Sequence, residues 1–188
     1  IWLSLDEWAK GNGEGIPLDY TVPVVYAVDK TAKWTWATIT AAAKINDKIY
    51  TWRVARVPEP NLDYLIQLCC HLFANTNTAM FVGSNMALRD LIFKLREEHG
   101  LPAEFLTEIQ LSAATVTTTS LLSNGRLVHG TDPIIRKQLP KTVVKNTQEG
   151  VKISVQHSSG DIDAVRSTVM AVYQAERMEP QEMNLIVF

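Results

Sequence analysis

The sequence predicts an α/β fold, a mixed β-sheet in which three antiparallel strands precede parallel strands and helices cover both faces. Two observations support this prediction. Three strand-like segments come first, and helical and strand-like segments then alternate toward the end of the chain. With 188 residues and a hydrophobic fraction of 46%, the chain is long enough to bury a sizeable core in one domain.

The three antiparallel strands are predicted at 22–29, 34–43 and 48–57. The first is strongly apolar and ends at Asp29. An Asn-Asp pair between the second and third segments favours a hairpin turn. These segments therefore predict an antiparallel meander at the start of the sheet.

The later elements include helices whose starts carry Asn, Ser, Thr or Asp, the residues that cap free helix amides. In order, we predict a helix from Asn61, a buried strand at 78–82, a helix at 85–99, a strand at 104–110, a helix at 112–123, a helix from Thr131 to Pro140, a hairpin at 143–156 and a helix at 161–177. This order matches a ribonuclease H-like mixed sheet, in which the first strand is central and the N-terminus of the final helix meets its end.

Three parts are expected along the chain: a linker or leader at 1–21, a folded domain at 22–177 and a C-terminal tail at 178–188. In the leader, three apolar residues at helical spacing precede Gly-Asn-Gly-Glu-Gly, which predicts a flexible break. Because no initial Met is present, we expect a piece of a longer chain. No run of about 18 apolar residues and no signal peptide is visible, so we expect no membrane segment.

Composition excludes several kinds of site. Cys69 and Cys70 are adjacent in an apolar helical run, which favours small buried residues in a reducing compartment over a disulfide or a metal site. The four histidines lack zinc-ligand spacing. No Gly-x-Ser-x-Gly turn indicates Ser-His-Asp catalysis. Histidine and cysteine chemistry is therefore disfavoured.

Basic residues cluster in one region although the net charge is −2. Between 134 and 160, Glu149 is the only acid beside five bases: Arg136, Lys137, Lys141, Lys145 and Lys152. One interpretation is a basic strip that binds a DNA phosphate backbone. The other is a solvated helix face followed by a hairpin.

Three carboxylates are candidate catalytic residues and metal ligands: Asp29, Asp161 and Asp163. A carboxylate at a strand end and another at a helix start can hold divalent cations in one crevice and so support phosphodiester hydrolysis. We expect Asp163 to be the better ligand and Asp161 to be a helix cap or a second ligand. The alternative interpretation is that Asp29 is a turn residue and Asp161 a cap without catalytic function.

Three passages resemble the C-terminal nuclease domain of phage terminase large subunits, the DNA-packaging motors. The first is Asp29 with the polar, Lys-containing turn after it. The second is Asn-Gly-Arg-Leu-Val-His-Gly-Thr-Asp-Pro at 124–133. The third is Ser-Ser-Gly-Asp-Ile-Asp-Ala-Val at 158–165, followed by Val-Met-Ala at 169–171. Their order and spacing carry the resemblance, which extends from about residue 24 to residue 175.

The resemblance implies a two-metal endodeoxyribonuclease that uses Mg²⁺ or Mn²⁺ and cuts concatemeric double-stranded viral DNA during genome packaging. It implies an ATPase domain on the same polypeptide, before the linker at 1–21. This sequence has no Gly-x-x-x-x-Gly-Lys-Ser/Thr phosphate loop, so we expect that domain to lie outside it. It also implies contact with the portal and the small terminase subunit. The expected location is the host cytoplasm and, transiently, the procapsid portal vertex, and the chain could also be encoded by a prophage. The alternatives are another ribonuclease H-like nuclease or resolvase, and a catalytically weak or inactive module that binds DNA or docks onto a partner.

One acid that the family usually carries after its fourth strand is missing. The corresponding passage is Phe-Val-Gly-Ser-Asn at 81–85. Ser84 or Asn85 could hold a metal-bound water there, and Glu108 on the next predicted strand could take the acid's place. We expect a carboxylate introduced at Gly83, or at Ser84 if the strand register differs by one, to complete the metal site.

Overall fold

The computed structural model describes residues 2–13, 21–84, 86, 88–148 and 150–178. Within these ranges the strands are β1 (Val24–Lys30), β2 (Trp36–Ile45), β3 (Lys48–Pro58), β4 (Thr78–Ser84), β5 (Ala103–Leu106), β6 (Leu127–His129), β7 (Val143–Thr147) and β8 (Gly150–Ser154). The helices are α1 (Leu5–Ala9), α2 (Leu62–Asn75), α3 (Arg89–Glu97), α4 (Glu108–Ser123), α5 (Pro133–Gln138) and α6 (Asp163–Arg177). A short 3-10 turn at Leu139–Lys141 follows α5.

Six strands form one mixed sheet in the order β5-β4-β1-β2-β3-β6. Strand β1 is central, and it pairs antiparallel with β2 and parallel with β4. Strands β2 and β3 are antiparallel, whereas β3–β6 and β4–β5 are parallel pairs. The predicted mixed sheet is therefore confirmed, and β7 and β8 form the separate hairpin that the sequence predicts.

Two apolar layers cover the sheet. Helices α4 and α6, with the leader helix α1, pack on one face, and α2 and α3 pack on the other. Strand β1 shows the alternation directly, because Val25 and Ala27 point to the α6 face while Tyr26 and Val28 point to the α2/α3 face. Asp29 continues this alternation and faces α6. Helix α6 is enclosed on most sides, with eleven of its fifteen residues buried.

Strand β3 contains a one-residue bulge that changes which side chains face α6. Arg53 pairs with Thr40, but Ala55 pairs with Ile39, so Val54 is left as the extra residue. Without the bulge, two side chains three residues apart would point to opposite faces. With it, Arg53 and Arg56 both face α6.

Several predicted boundaries are wrong for local reasons. Strand β5 ends at Leu106, before the predicted end at 110, because Thr107 and Gln110 form a capping box that starts α4. Helix α3 begins at Arg89, and the predicted cap Asn85 lies outside the described residues. Strand β6 was not predicted, since three residues carry no clear alternation.

The described part of the leader, residues 2–13, packs onto the domain. The Trp8 ring stacks on the His129 ring with centroids 3.9 Å apart. The His129 backbone accepts a hydrogen bond from Gly13 and donates one to Gly11, both at 2.9 Å. A Cβ on Gly11 would lie 2.8 Å from His129 Cδ2, and one on Gly13 would lie 2.5 Å from Val128 Cγ1. These two glycines, predicted to be a flexible break, therefore permit close packing, and residues 14–20 lie outside the described ranges.

Crossing a bilayer takes a helix that is both long and apolar, and the described part of the chain contains none.

Candidate active site

Side chains from four adjacent strands line up beneath the N-terminus of α6. Asp29 on β1 lies opposite Thr38 on β2, and Thr38 lies opposite Arg56 on β3. On the other side of β1, the parallel register places Ser84 of β4 next to Asp29. All four positions face α6, which contributes Asp163 from its first turn.

The Asp163 carboxylate is 1% exposed and is surrounded by hydrogen-bond donors. Thr38 Oγ1 donates to its Oδ2 at 2.5 Å, and Gln138 Nε2 donates to its Oδ1 at 2.9 Å. Arg56 donates from Nε and Nη2 at 3.1 Å each, so that the pair is bidentate. Desolvation acts to raise the pKa of Asp163, but the hydrogen bonds from Arg56 and Thr38 outweigh it, and the pKa lies below its ordinary value.

The Asp29 carboxylate is fully buried but has fewer donors. Arg166 Nη1, one turn after Asp163 on α6, lies 3.3 Å from both carboxylate oxygens. Desolvation raises the pKa of Asp29 to about 6 against the opposing charge of Arg166, and the nearby charge of Asp163 acts in the same direction as desolvation. The structure therefore brings Asp29 and Asp163 together, as the sequence predicts, but gives them opposite pKa shifts.

Gln138 connects the end of α5 to the start of α6. Its Oε1 accepts hydrogen bonds from the Ala164 and Val165 amides at 2.9 and 3.2 Å, while its Nε2 donates to Asp163. The residue at the cap position, Ile162, provides no side-chain cap. Gln138 therefore satisfies the free amides of α6 and fixes Asp163 at the same time.

Asp161 has a different position from the one expected. Its side chain is 52% exposed, and its nearest cationic group is Arg56 Nη2 at 4.0 Å. Because α6 begins at Asp163 and Ile162 holds the cap position, the prediction that Asp161 caps this helix is wrong. Its role as a second metal ligand stays a prediction.

Two arginines that the sequence interpretation did not single out complete the site. Arg56 contacts Asp163 on one side and the Trp36 ring on the other, with its guanidinium carbon 4.4 Å from the ring centroid. Arg166 had a detectable signal, because it lies three residues after Asp163 and so on the same face of a helix. Arg56 had none, since the bulge at Val54 that orients it is not visible in the sequence.

The position of the missing acid requires a correction. A Cβ on Gly83 would lie 3.4 Å from side-chain atoms of Ile92 and Leu88, so Gly83 faces the α2/α3 layer. The expectation that an acid at Gly83 faces Asp29 is therefore wrong, and Ser84 is the residue on the α6 face. Asn85 lies outside the described residues.

Glu108 does not take the place of the missing acid. It is the first residue of α4, its side chain is 61% exposed, and it forms an ion pair with Lys152 of the β7–β8 hairpin. Both residues line a cleft of about 250 Å³ between α4, α6 and the hairpin, whose wall also includes Lys145 and Arg166. The hairpin lysines thus lie along the cleft that leads to the arginine partner of Asp29.

The predicted basic strip is distributed over three places. Arg136 and Lys137 are exposed at the end of α5. Lys141 packs along Gly160. Lys145 and Lys152 are direct cross-strand partners on the hairpin. DNA binding by these five side chains stays a prediction.

The described residues fit one divalent cation better than two. Among them, no three acidic, histidine or cysteine side chains are grouped as a metal site. Asp29 has one guanidinium at long hydrogen-bond distance and the backbone hydrogen bond from Lys30, which leaves carboxylate lone-pair capacity for a cation. Asp163 has four donors on its two oxygens, so a second cation does not fit there while Arg56 is bound.

Comparisons with known proteins agree with this geometry at the level of the fold. The HK97 bacteriophage large terminase superposes with a TM-score of 0.74 at 15% identity, over 93% of this chain and 43% of that one. The nuclease domain of the Thermus phage P74-26 large terminase gives 0.63 at 15% identity, over 84% of this chain and 82% of that domain. The fold is that of a large terminase nuclease domain.

The terminase nuclease of the thermophilic phage G20c, in its crystal structure with bound magnesium, gives a TM-score of 0.63 at 12% identity over 82% of each chain. That nuclease was also solved with bound cobalt and with bound zinc. No protein-family model and no curated protein matches the chain by sequence. The chain spans less than half the length of the HK97 large terminase, which carries the same nuclease fold.

Proposed function

We propose that this chain is the DNA-cleaving nuclease domain of a phage packaging terminase, cutting concatemeric double-stranded DNA with Mg²⁺ or Mn²⁺. One observation carries the proposal. Asp29 from the first strand and Asp163 from the last helix meet on one sheet face, at the end of the central strand of a terminase nuclease fold. A structural core has no need for two buried carboxylates at this point, because burying each one costs several kcal/mol.

The chain's own residues support phosphodiester hydrolysis in three ways. Asp29 is the residue that would hold a divalent cation, and with a pKa of about 6 it is mostly ionised at neutral pH. When bound, such a cation supplies Lewis-acid stabilisation of a phosphoryl oxygen and lowers the pKa of a coordinated water. Arg56 and Arg166 provide positive charge beside both acids, and apolar packing around them lowers the local dielectric and strengthens these charges.

We further propose that an ATPase domain precedes this domain on the same polypeptide. The D6E large terminase was solved with ADP, and this chain superposes on 44% of it, which supports a nucleotide-binding part in the remainder of a longer protein. By the same likeness we propose the portal and the small terminase subunit as partners. The place of action would then be the host cytoplasm and the procapsid portal vertex.

A second candidate is a module that binds DNA or docks onto a partner without cutting. The observation that favours it is that both acids are paired with arginines in the described structure. Cleavage separates the two candidates.

The test is cleavage of supercoiled plasmid by the purified chain in Mg²⁺ or Mn²⁺. Asp29→Asn should reduce the rate about 100-fold or more, because it removes a ligand charge without changing side-chain size. Asp63→Asn, an exposed acid on α2 at the opposite sheet face, is the matched control and should cut like the wild type. A folded wild type that leaves plasmid intact in both cations would favour the docking module.

A further inference from the structure

The acid site, formed by Asp29 and Asp163, contains Arg56 where a second cation would be needed for two-metal cleavage. We infer that Arg56 takes the place of that cation: it closes Asp163 to metal and presents its own charge to the DNA phosphate. This inference rests on the proposed nuclease function. It predicts a site with one divalent cation, held at Asp29.

Asp163 has no free acceptor position. Arg56 occupies both of its oxygens, and Thr38 and Gln138 occupy the remaining directions. Bidentate arginine–carboxylate pairs are among the strongest side-chain hydrogen bonds, and this one is buried. A cation could reach Asp163 only by displacing a guanidinium of the same charge sign.

Arg56 is held firmly in this position. Its guanidinium stacks on the Trp36 ring, and the bulge at Val54 turns the strand so that Arg56 faces Asp163. Its hydrogen bonds run through Nε and Nη2, and none within the described part of the chain uses Nη1. With 14% of its side chain exposed, Arg56 retains one donor edge that a phosphate oxygen can bind.

The net charge of the site supports the same inference. Two carboxylates with two divalent cations carry a net charge of +2. Asp29 and Asp163, with their two arginines and one divalent cation, carry the same net charge. Ser84, a neutral residue where the resemblance implies an acid, keeps this balance. The arginines thus provide the field that a second cation would otherwise provide at a phosphodiester.

The test counts Mn²⁺ ions on the DNA-free protein by calorimetric titration. The wild type should bind one ion per chain, and Asp29→Asn should bind none. Arg56→Gln uncovers Asp163 and should bind two ions, and Arg53→Gln is the matched control. Arg53 lies on the same strand and face and pairs with Asp132 at 2.8 Å, so its loss should leave the count at one.

Two further variants keep the test decisive if Arg56→Gln folds poorly. Arg56→Lys keeps the positive charge and should still bind one ion. Ser84→Asp leaves Arg56 in place, so it should tighten the ion at Asp29 about tenfold without adding a second, whereas Gly83→Asp, which faces the other layer, should not tighten it. Two ions on the wild type, a second ion on Ser84→Asp, or one ion on folded Arg56→Gln would each overturn the inference.

A kinetic measurement separates this inference from the nuclease proposal. Below saturation, plasmid cleavage should rise with the first power of Mn²⁺ concentration in the wild type and with the second power in Arg56→Gln. A second-power dependence in the wild type overturns the role of Arg56 and leaves the nuclease function intact. Single-ion binding without cleavage contradicts the nuclease function and not the ion count.

Discussion

Asp29 and Asp163 are buried to the same extent and lie on the same face of the sheet, yet their surroundings differ. Asp163 accepts four hydrogen bonds, two of them from a bidentate arginine. Asp29 has one guanidinium nitrogen, at 3.3 Å from each oxygen, and a backbone hydrogen bond from Lys30. Desolvation acts to raise both pKa values, but the hydrogen bonds at Asp163 leave its pKa below the ordinary value, whereas the pKa of Asp29 is raised to about 6.

The difference shows that burial alone does not decide what a carboxylate does. Desolvation sets a cost, and the number and quality of donors decide whether the ionised form recovers it. At Asp163 the hydrogen-bond donors offset the desolvation cost, and the carboxylate links α6 to β2 and β3. Asp29 is under-compensated, and that is the property expected of a group that gains most from an arriving cation.

The largest effect on the free energy of unfolding should come from removing the Asp163 carboxylate. Asp163→Ala leaves Arg56 buried without its partner and should lower the free energy of unfolding by about 3–5 kcal/mol. Asp29→Ala should cost less than half as much, because Arg166 borders a cleft and can turn toward solvent. Urea unfolding of both variants in EDTA measures the difference, and equal losses would contradict the contrast between the two acids.

The pH dependence of stability should separate the two acids by sign. The folded pKa of Asp29, about 6, lies above its ordinary value of 3.8, so its contribution is complete below about pH 4 and is lost as the pH rises through 6. A shift of this size corresponds to about 3 kcal/mol. For Asp163, whose folded pKa is lowered, the contribution is present above its unfolded pKa and is lost as the pH falls.

Urea unfolding in EDTA from pH 3 to 8 measures the free energy of unfolding of the wild type, Asp29→Asn and Asp163→Asn, and their differences test these two pH dependences. The wild type should lose stability relative to Asp29→Asn between pH 4 and 6. It should gain stability relative to Asp163→Asn as the pH rises from about 3 toward 5. Parallel curves for the two variants would show that the acids share one environment.

The smallest effect concerns how DNA reaches the two acids. Lys145 and Lys152 line the cleft beside Arg166, on the Asp29 side, whereas Arg136 and Lys137 lie on α5. Replacing both hairpin lysines by Ala should reduce the salt slope of DNA binding by about two, since each phosphate contact contributes about one. The α5 pair replaced by Ala should reduce it by less than one. Wild-type slopes in both double variants would assign these residues to a solvated surface.

Part of this site could be predicted from the sequence because it depends on element type. A strand that ends in Asp29 and a helix that opens near Asp163 need only their apolar patterns and the order of elements. The roles of Arg56 and Gly83 depend on which face of the sheet a strand residue points to, and that of Gln138 depends on contacts between distant elements. One bulged residue reverses the face for all residues after it, and a single sequence does not reveal the bulge.

The leader illustrates the same limit. Glycines between polar residues predict a flexible break when the partner surface is unknown. At Gly11 and Gly13 the absent side chains instead admit His129 and Val128 of the domain. Local composition gives the same pattern for both situations, and tertiary packing distinguishes them.

Helix α6 carries Asp163 and Arg166, and eleven of its fifteen residues are buried. Backbone amides in such a segment exchange with deuterium mainly through global unfolding, while those of frayed or exposed segments exchange through local openings. We therefore expect the backbone that carries Asp163 and Arg166 to open mainly with global unfolding. Adjustment to DNA or a cation is then expected from rotation of side chains such as Arg166, which borders the cleft, and not from movement of the helix.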